Sequence, residues 1–401
     1  MIAPKLRFSE FKDEWIKTRI GESFQLISGF AFPSSAKSNS DGAKWLKIAD
    51  VGIQKMNPSN PSFLPKQYLQ TYSNFIVKKD DYVVALTRPI LNGELKISQV
   101  GDFYDNALLN QRVAKLASED NNLKFIYCLL QKSETVKDIE NSIAGTDPPN
   151  LSLNEIKDIT ISLPTVEEQT KIAEFLSAVD DKISQLSRQL ELLNQYKKGV
   201  MQKIFSQEIR FKNDNGEDFG EWDYFQASEL FENYTNKNHD GNLTILAATQ
   251  DKGIVPRDTI EIDIKSSEAS VKSYKIIEKG QFVISLRSFQ GGIEYSNYHG
   301  ICSPAYTVLQ PIKPINDIFY KNYLKTYDFI QRLSATVIGI RDGKQISYQA
   351  FSDLYLDYPT IPEQEKIAEF LTAIDEQIDH TTAQLTHTKQ WKKGLLQQMF
   401  V

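Results

Sequence analysis

A chain of 401 residues exceeds the size at which one hydrophobic core usually stops growing, and 41% hydrophobic, 24% charged and 11% aromatic residues describe an ordinary globular protein, so several domains are expected and extensive disorder is not. No stretch approaches the roughly 18 apolar residues of a membrane span, Met1 to Glu10 has no signal-peptide apolar region, and Cys128 and Cys302 form neither a disulfide framework nor a CxxC zinc pair. A net charge of −6 argues against a simple nucleic-acid coat protein, and a cytoplasmic location is expected.

Residues 1–164 carry a net +1 (20 basic, 19 acidic) and read as an α+β head of short strands and helices. Val77-Lys-Lys-Asp-Asp-Tyr-Val-Val-Ala-Leu-Thr-Arg88 is a turn followed by a β-rich run that ends on an arginine. Asn92-Gly93 marks a loop where glycine frees the backbone, as in an ordinary hairpin. Leu109-Asn-Gln-Arg-Val-Ala-Lys-Leu116 follows, then an aromatic helix around Phe125 to Leu130, and the polar phrases Asp147-Pro-Pro-Asn-Leu-Ser152 and Asp158-Ile-Thr-Ile161.

Pro164 and Thr165 open a long helix over 165–205, with Thr165 as candidate cap and Glu168 three residues on. Ile172, Leu176, Val179, Ile183, Leu186, Leu190, Leu193, Val200 and Ile204 step by three and four, with Lys197 the polar member of the register, which is a coiled-coil seam. A helix of roughly 38 residues at about 1.5 Å each spans near 57 Å.

Residues 206–359 form a second head, more acidic than the first, with a net −5 over 206–360 (16 basic, 21 acidic). Ile277-Glu-Lys-Gly-Gln-Phe-Val-Ile-Ser-Leu-Arg287 corresponds to the strand that ends at Arg88, and Cys302 to Leu309 corresponds loosely to Leu109 to Leu116. Gln290-Gly-Gly292 is a second loop candidate, an aromatic helix covers Phe319 to Leu324, and Asp342-Gly-Lys-Gln-Ile-Ser347 and Asp353-Leu-Tyr-Leu356 match phrases of the first head. Residues 360–401 are again a helix, with Ile367, Leu371, Ile374, Ile378, Leu385, Leu395 and Met399 in the seam and Thr381, Thr388 and Lys392 as weaker positions.

The two helices are copies. Pro164 to Asp180 recurs as Pro359 to Asp375, and Lys197 to Phe205 as Lys392 to Phe400, both at an offset of 195. A chain running head, helix, head, helix, with matched helices packed antiparallel, makes a two-headed spacer of approximate two-fold symmetry. The fold class expected is therefore α+β, two pseudo-symmetric heads joined by two long antiparallel coiled-coil helices.

The phrase Leu163-Pro…Glu168-Gln…Lys171-Ile-Ala…Phe175-Leu and its twin Tyr358-Pro…Glu363-Gln…Lys366-Ile-Ala…Phe370-Leu resemble the conserved region of specificity subunits of type I restriction-modification enzymes. Ile20-Gly-Glu…Ser28-Gly, Trp45-Leu-Lys-Ile-Ala-Asp-Val51 and Leu109-Asn-Gln-Arg-Val113 resemble a target-recognition domain of that family. The resemblance implies a cytoplasmic, noncatalytic subunit without cofactor, in which each head reads one half of a split double-stranded DNA target. It implies that the helices set the spacer and dock two modification (methyltransferase) subunits, and that motor-nuclease subunits complete the restriction enzyme.

On that reading Lys37, Lys44, Lys47, Arg88, Lys96 and Arg112 in the first head, and Lys237, Lys252, Arg257, Arg287, Arg341 and Lys344 in the second, are candidates for phosphate and guanine contacts. Gln111, Asn150, Gln290 and Gln345 are candidates for adenine, and Asn92 for a DNA-facing loop; each would otherwise be an ordinary surface side chain. Asp147-Pro-Pro-Asn150 lacks the aromatic that adenine methyltransferases stack on a flipped base, and no glycine-rich turn suits S-adenosylmethionine. Asp81…Glu94-Leu-Lys96 is only a faint nuclease-like pattern, and His239, His299, His380 and His387 have no metal-ligand spacing, so no metal is expected. The rival reading from a different class is a coiled-coil adaptor whose heads bind protein.

Overall fold

The structure is a computed structural model that describes residues 3–38, 40–143, 148–260, 271–336 and 346–401. Two compact units divide the chain: Met1–Ser187 with Ala383–Val401, and Arg188–Thr382. Each contains one head and one half of each long helix, Val166–Phe205 and Ile361–Gln398.

In the first unit the main sheet runs, in spatial order, Gln25–Ser28, Val113–Ala117, Tyr82–Ala85 and Ile97–Gln99, all antiparallel. The uninterrupted apolar run of Tyr82–Ala85 reflects burial on both faces. Tyr82 and Val84 join the core built around Trp15, Phe125 and the long helices, whereas Val83 and Ala85 join a second core with Leu46, Val77 and Leu109. The latter core lies under a smaller sheet of Ser62–Leu64, Ala43–Leu46, Ala107–Leu109 and Ile76–Val77, in which Ala43–Leu46 and Ala107–Leu109 are parallel. A ribbon of Ile16–Arg19 and Thr160–Leu163 leads into the central helix.

The second unit repeats this plan. Its main sheet is Phe231–Tyr234, Thr307–Pro311, Phe282–Ile284 and Glu294–Tyr295, and its ribbon is Asp223–Gln226 with Tyr355–Tyr358. The smaller sheet is reduced to two pairs, Leu246–Thr249 with Gly253–Pro256 and Lys275–Ile277 with Gly300–Cys302, linked by a parallel bridge between Ile245 and Ile301. Phe282 and Ile284 again face the helix-side core while Val283 faces the other.

The repeated proline-glutamate-glutamine phrase has a physical explanation. Glu168 is buried and accepts two hydrogen bonds of 2.7 Å from the Arg7 guanidinium and one of 3.3 Å from Trp15 Nε1. Glu363, also buried, accepts from Arg210 at 3.1 and 2.8 Å and from Trp222 Nε1 at 3.0 Å. These carboxylates, expected to close capping boxes, thus tie an incoming arginine and tryptophan to the first helical turn. The neighbouring Gln169 donates to Pro164 O and accepts from the Asn122 N–H, and Asn122 caps Leu123–Leu129; Gln364, Pro359, Asn316 and Asp317–Tyr323 repeat the set.

The expected seam is present. In the first unit Ile172, Leu176 and Val179 pack in one core with Leu395 and Met399 from the end of the terminal helix. In the second, Ile204 packs with Ile367, Leu371 and Ile374 from that helix's start, so the helices are antiparallel in both units. The two lysines of the register form ion pairs: Lys392 Nζ lies 2.6 Å from Asp180, and Lys197 Nζ lies 2.6 Å from Asp375, the same two positions of the repeat. Cys128 and Cys302 are buried core residues, and burial pushes their thiols up to about 12 and about 11. Among the described residues no helix is long and apolar enough to cross a membrane.

Candidate nucleic-acid interface

At one end of the first unit's main sheet, strand order brings together residues that are far apart in sequence. Val113 pairs with Ala85 and Val84 with Ile97, which sets Arg112, the segment Leu86–Arg88, and Lys96 side by side. The Leu86 N–H donates to Arg112 O at 2.8 Å, and the Ala85 N–H to Lys96 O at 3.0 Å. Arg88 takes a positive φ of 46° and its N–H is held by Pro149 O at 2.7 Å, which leaves its side chain exposed. Lys96 is half-buried; burial first, and then the nearby Arg88 charge, lowers its pKa from the ordinary 10.5. Such a lysine gains by meeting an anion, because a phosphate would offset both effects.

Between Arg88 and Lys96 the chain makes a hairpin of Ile90–Leu91 and Glu94–Leu95. Asn92 and Gly93 have φ of 53° and 74°, the two left-handed residues of a type I′ turn, so the Asn-Gly pair is a hairpin signal that the structure fulfils. Gln111 and Arg112 are exposed beside it, and the Gln111 N–H donates to Phe30 O. Asn150 is exposed but its amide is engaged within the chain, accepting from Thr87 Oγ1 at 2.6 Å and donating to Pro148 O at 2.9 Å. Arg88, Asn92, Lys96, Gln111, Arg112 and Asn150 therefore gather at one sheet end.

Lys37, Lys44 and Lys47 belong instead to the smaller sheet and its flank. Lys37 is exposed after the turn Ser34–Ala36, Lys44 Nζ lies 4.9 Å from the centre of the Phe103 ring, and Lys47 Nζ donates to Ser62 Oγ at 2.7 Å. Asp81 is used structurally, accepting from the Lys78 N–H and lying 3.5 Å from Lys115 Nζ. No group of three His, Cys, Asp or Glu suited to a metal occurs among the described residues.

The corresponding end of the second unit's sheet is built differently. Arg287 and Gln290 are exposed on the one-turn helix Ser288–Gly291 and its start, where the first unit has its hairpin. Gly292, at φ 77°, closes that turn; a Cβ there would lie 2.2 Å from Leu324 O. At the register of Ser98 stands Glu294, buried, paired with Lys325 at 2.6 Å and raised in pKa by burial. Arg257 Nη2 donates to the Tyr274 hydroxyl at 3.2 Å, Lys252 is exposed in the tight turn before Gly253, and Lys237 is exposed. Arg341, Lys344 and Gln345, like Asp147, lie outside the described residues.

A family model for the type I restriction modification DNA specificity domain matches residues 12–195 and again 220–388. The chain belongs to this specificity family. Among its relatives are the type I restriction enzyme MjaVIII specificity subunit of Methanocaldococcus jannaschii, 33% identical over 213 residues (53% of this chain, 50% of that protein), and the EcoAI specificity subunit of Escherichia coli, 26% identical over 176 residues (43% and 29%). The matched part thus spans half or less of these relatives. Among solved structures, a type I restriction-modification S subunit from M. genitalium shares the fold at a TM-score of 0.61 and 17% identity, over 100% of this chain and 99% of that one. A chain from a study of complex assembly and conformational transition of the type I system has a TM-score of 0.53 at 18% identity, over 95% and 96%.

Two features of this family member were missed in the sequence. Leu6-Arg7-Phe8…Glu14-Trp15 and Ile209-Arg210-Phe211…Glu221-Trp222 are a further repeat, whose arginines and tryptophans are the partners of Glu168 and Glu363. Lys275 was not singled out. Burial lowers its pKa, Lys237 adds to the effect, and its Nζ donates to Tyr306 O at 2.7 Å.

Proposed function

We propose that the chain is the DNA-recognition subunit of a type I restriction-modification enzyme, acting without catalytic groups or cofactor of its own, in the cytoplasm. Residues 1–164 and 206–359 are the two target-recognition domains, each reading one half of a bipartite duplex target. The helices of 165–205 and 360–401 set the unread spacer and dock two modification subunits, which methylate adenine; motor-nuclease subunits join where restriction occurs. In the first head Arg88, Lys96 and Arg112 meet phosphates and guanine, Asn92 and Gln111 lie within reach of bases, and Asn150 holds Thr87 beside them. Lys37, Lys44 and Lys47 extend the contact along the backbone. In the second head Arg287 and Gln290 are the central contacts, and Lys237, Lys252, Arg257, Arg341, Lys344 and Gln345 are further DNA-binding residues.

The observation that carries this reading is the family's domain occurring twice, with exposed Arg88 and Arg112 in the first copy and exposed Arg287 in the second at corresponding ends of their main sheets. With overall charge at −6, diffuse electrostatics contributes little affinity, and local clusters and shape supply it, with a more basic partner. Co-expression with a modification subunit, followed by single-molecule mapping of methylated adenines, tests it. A split motif that appears only when this chain is present is the expected result. No new methylation beside a demonstrably active partner would overturn it in favour of a protein-binding adaptor.

A further inference from the structure

The hairpin of the first head carries one residue that the fold does not require. Ile90 packs against the unit's core and Leu95 lies within it, only 3% exposed, so these two cross-strand partners hold the ribbon down. Leu91 and Glu94, the other pair, face the opposite way, and Leu91 remains 52% exposed. A Cβ added to Gly93 would meet nothing within 4 Å, so the turn projects into open space. The type I′ turn makes this projection stiff, which lowers the entropy lost on binding.

A single exposed leucine is ordinary; its surroundings here are not. Arg88 and Lys96 stand at the root of the ribbon on either side, and Arg112 is on the adjoining strand. The tip holds no cation: it offers Leu91, Asn92, Gly93 and the exposed carboxylate of Glu94, which has no ion-pair partner among the described residues. Positive charge at the root and none at the tip is the distribution needed by an element that leans on phosphates and reaches past them. A carboxylate there would be repelled by the backbone but tolerated beside base edges, where cytosine presents an amino group. A two-stranded ribbon fits the major groove, and the apolar group exposed on that edge of a base pair is the thymine 5-methyl. The second head has the helix Ser288–Gly291 in this place, so the device belongs to one half-site.

We infer that Leu91 is a specificity-determining residue of the first head, packing against the 5-methyl group of a thymine in the half-site this head reads. The inference rests on the DNA-recognition reading above. Its test uses the full chain in complex with its modification subunits and duplexes of the mapped target. Each thymine of the first half-site, on either strand, is replaced singly by uracil, which removes the methyl and leaves every hydrogen-bonding group. At one position the unaltered protein should lose about fourfold in affinity, the value of one buried methyl-sized group. L91A should bind the thymine duplex about as much more weakly and show no further loss with uracil, while L91M keeps most of the discrimination. Equal affinity for thymine and uracil at every position, a half-site without thymine, or an L91A protein still sensitive to uracil would overturn the role of Leu91 while methylation of the split target stands. A complex with no sequence preference on any duplex would overturn the recognition reading itself, and Leu91 with it.

Discussion

The two units agree most closely where each head grips the long helices and least at the outer ends of their main sheets. At the grip, Arg7, Trp15, Glu168 and Gln169 are matched one for one by Arg210, Trp222, Glu363 and Gln364. At the sheet end, the first unit has a hairpin ringed by Arg88, Lys96 and Arg112 where the second has a one-turn helix with Arg287, and the register of Lys96 falls on Gly292, two residues before the buried Glu294. The difference follows from burial. A buried carboxylate that loses its cationic partner is costly, which constrains the grip to the arrangement both units share. A solvated sheet end is constrained by whatever it binds, so the heads can diverge there without loss of the fold.

The most severe way to break this comparison is to remove the shared carboxylates. E168A leaves Arg7 without its partner and should cost the first unit about 3–5 kcal/mol, and E363A should cost the second unit a similar amount. Hydrogen exchange, read separately on each unit's strands, checks this. If one substitution is mild, the two grips are not equivalent despite their matched geometry.

The seam pairs sharpen the comparison because their burial differs. Lys392 has a side chain 5% exposed and reaches Asp180, Gln54 at 2.8 Å and Gln131 at 3.3 Å, whereas Lys197, 21% exposed, reaches Asp375. K392M should therefore destabilise its unit by about 3 kcal/mol and K197M by about 1 kcal/mol. Equal losses in thermal unfolding would mean that the contacts to Gln54 and Gln131 add nothing.

These elements also show how far the residues alone can be read. The helices and their seam were legible because a 195-residue offset and a three-four spacing are local patterns. Lys197 reads as a polar exception in the register and Lys392 as a weaker position, although Asp180 and Asp375 stand at the same offset; pairing them required knowing which ends of the helices meet. Glu168 and Glu363 read as capping residues because a cap is a local device, while their partners arrive from more than 140 residues away. The assembly of Arg88, Lys96 and Arg112 was hidden for a related reason. A sheet order in which Val113–Ala117 lies between Gln25–Ser28 and Tyr82–Ala85 is non-sequential, and no short-range signal specifies it.

At the sheet ends the expected effects are smaller and are felt in DNA binding. R88A and R287A should each weaken binding about tenfold in the assembled complex, with relaxed discrimination at one position of the first or second half-site respectively if the contact is to guanine. A contact to phosphate would instead weaken all sequences alike and lessen the salt dependence by about 0.9 in log-log slope. Either outcome assigns the arginine; a substitution that alters the opposite half-site would break the correspondence between heads and half-sites.

The smallest effect concerns Lys96. Burial, with Arg88 adding to it, lowers its pKa below the ordinary 10.5, so its charge is lost at a lower pH than that of a free lysine. The sign follows directly: as pH rises toward 10.5, affinity for DNA should fall earlier than exposed lysines would dictate, because a neutral amine no longer attracts phosphate. K96R carries a guanidinium that stays charged throughout this range. Its alkaline limb should be flatter by a few-fold in Kd, measured against the unaltered protein at matched ionic strength. Identical limbs would mean that Lys96 stays outside the contact and that the first head's cationic end narrows to Arg88 and Arg112. The second head has no counterpart cation at that register, so grafting the same test there, through Lys275, separates a general property of buried lysines from one tied to the hairpin.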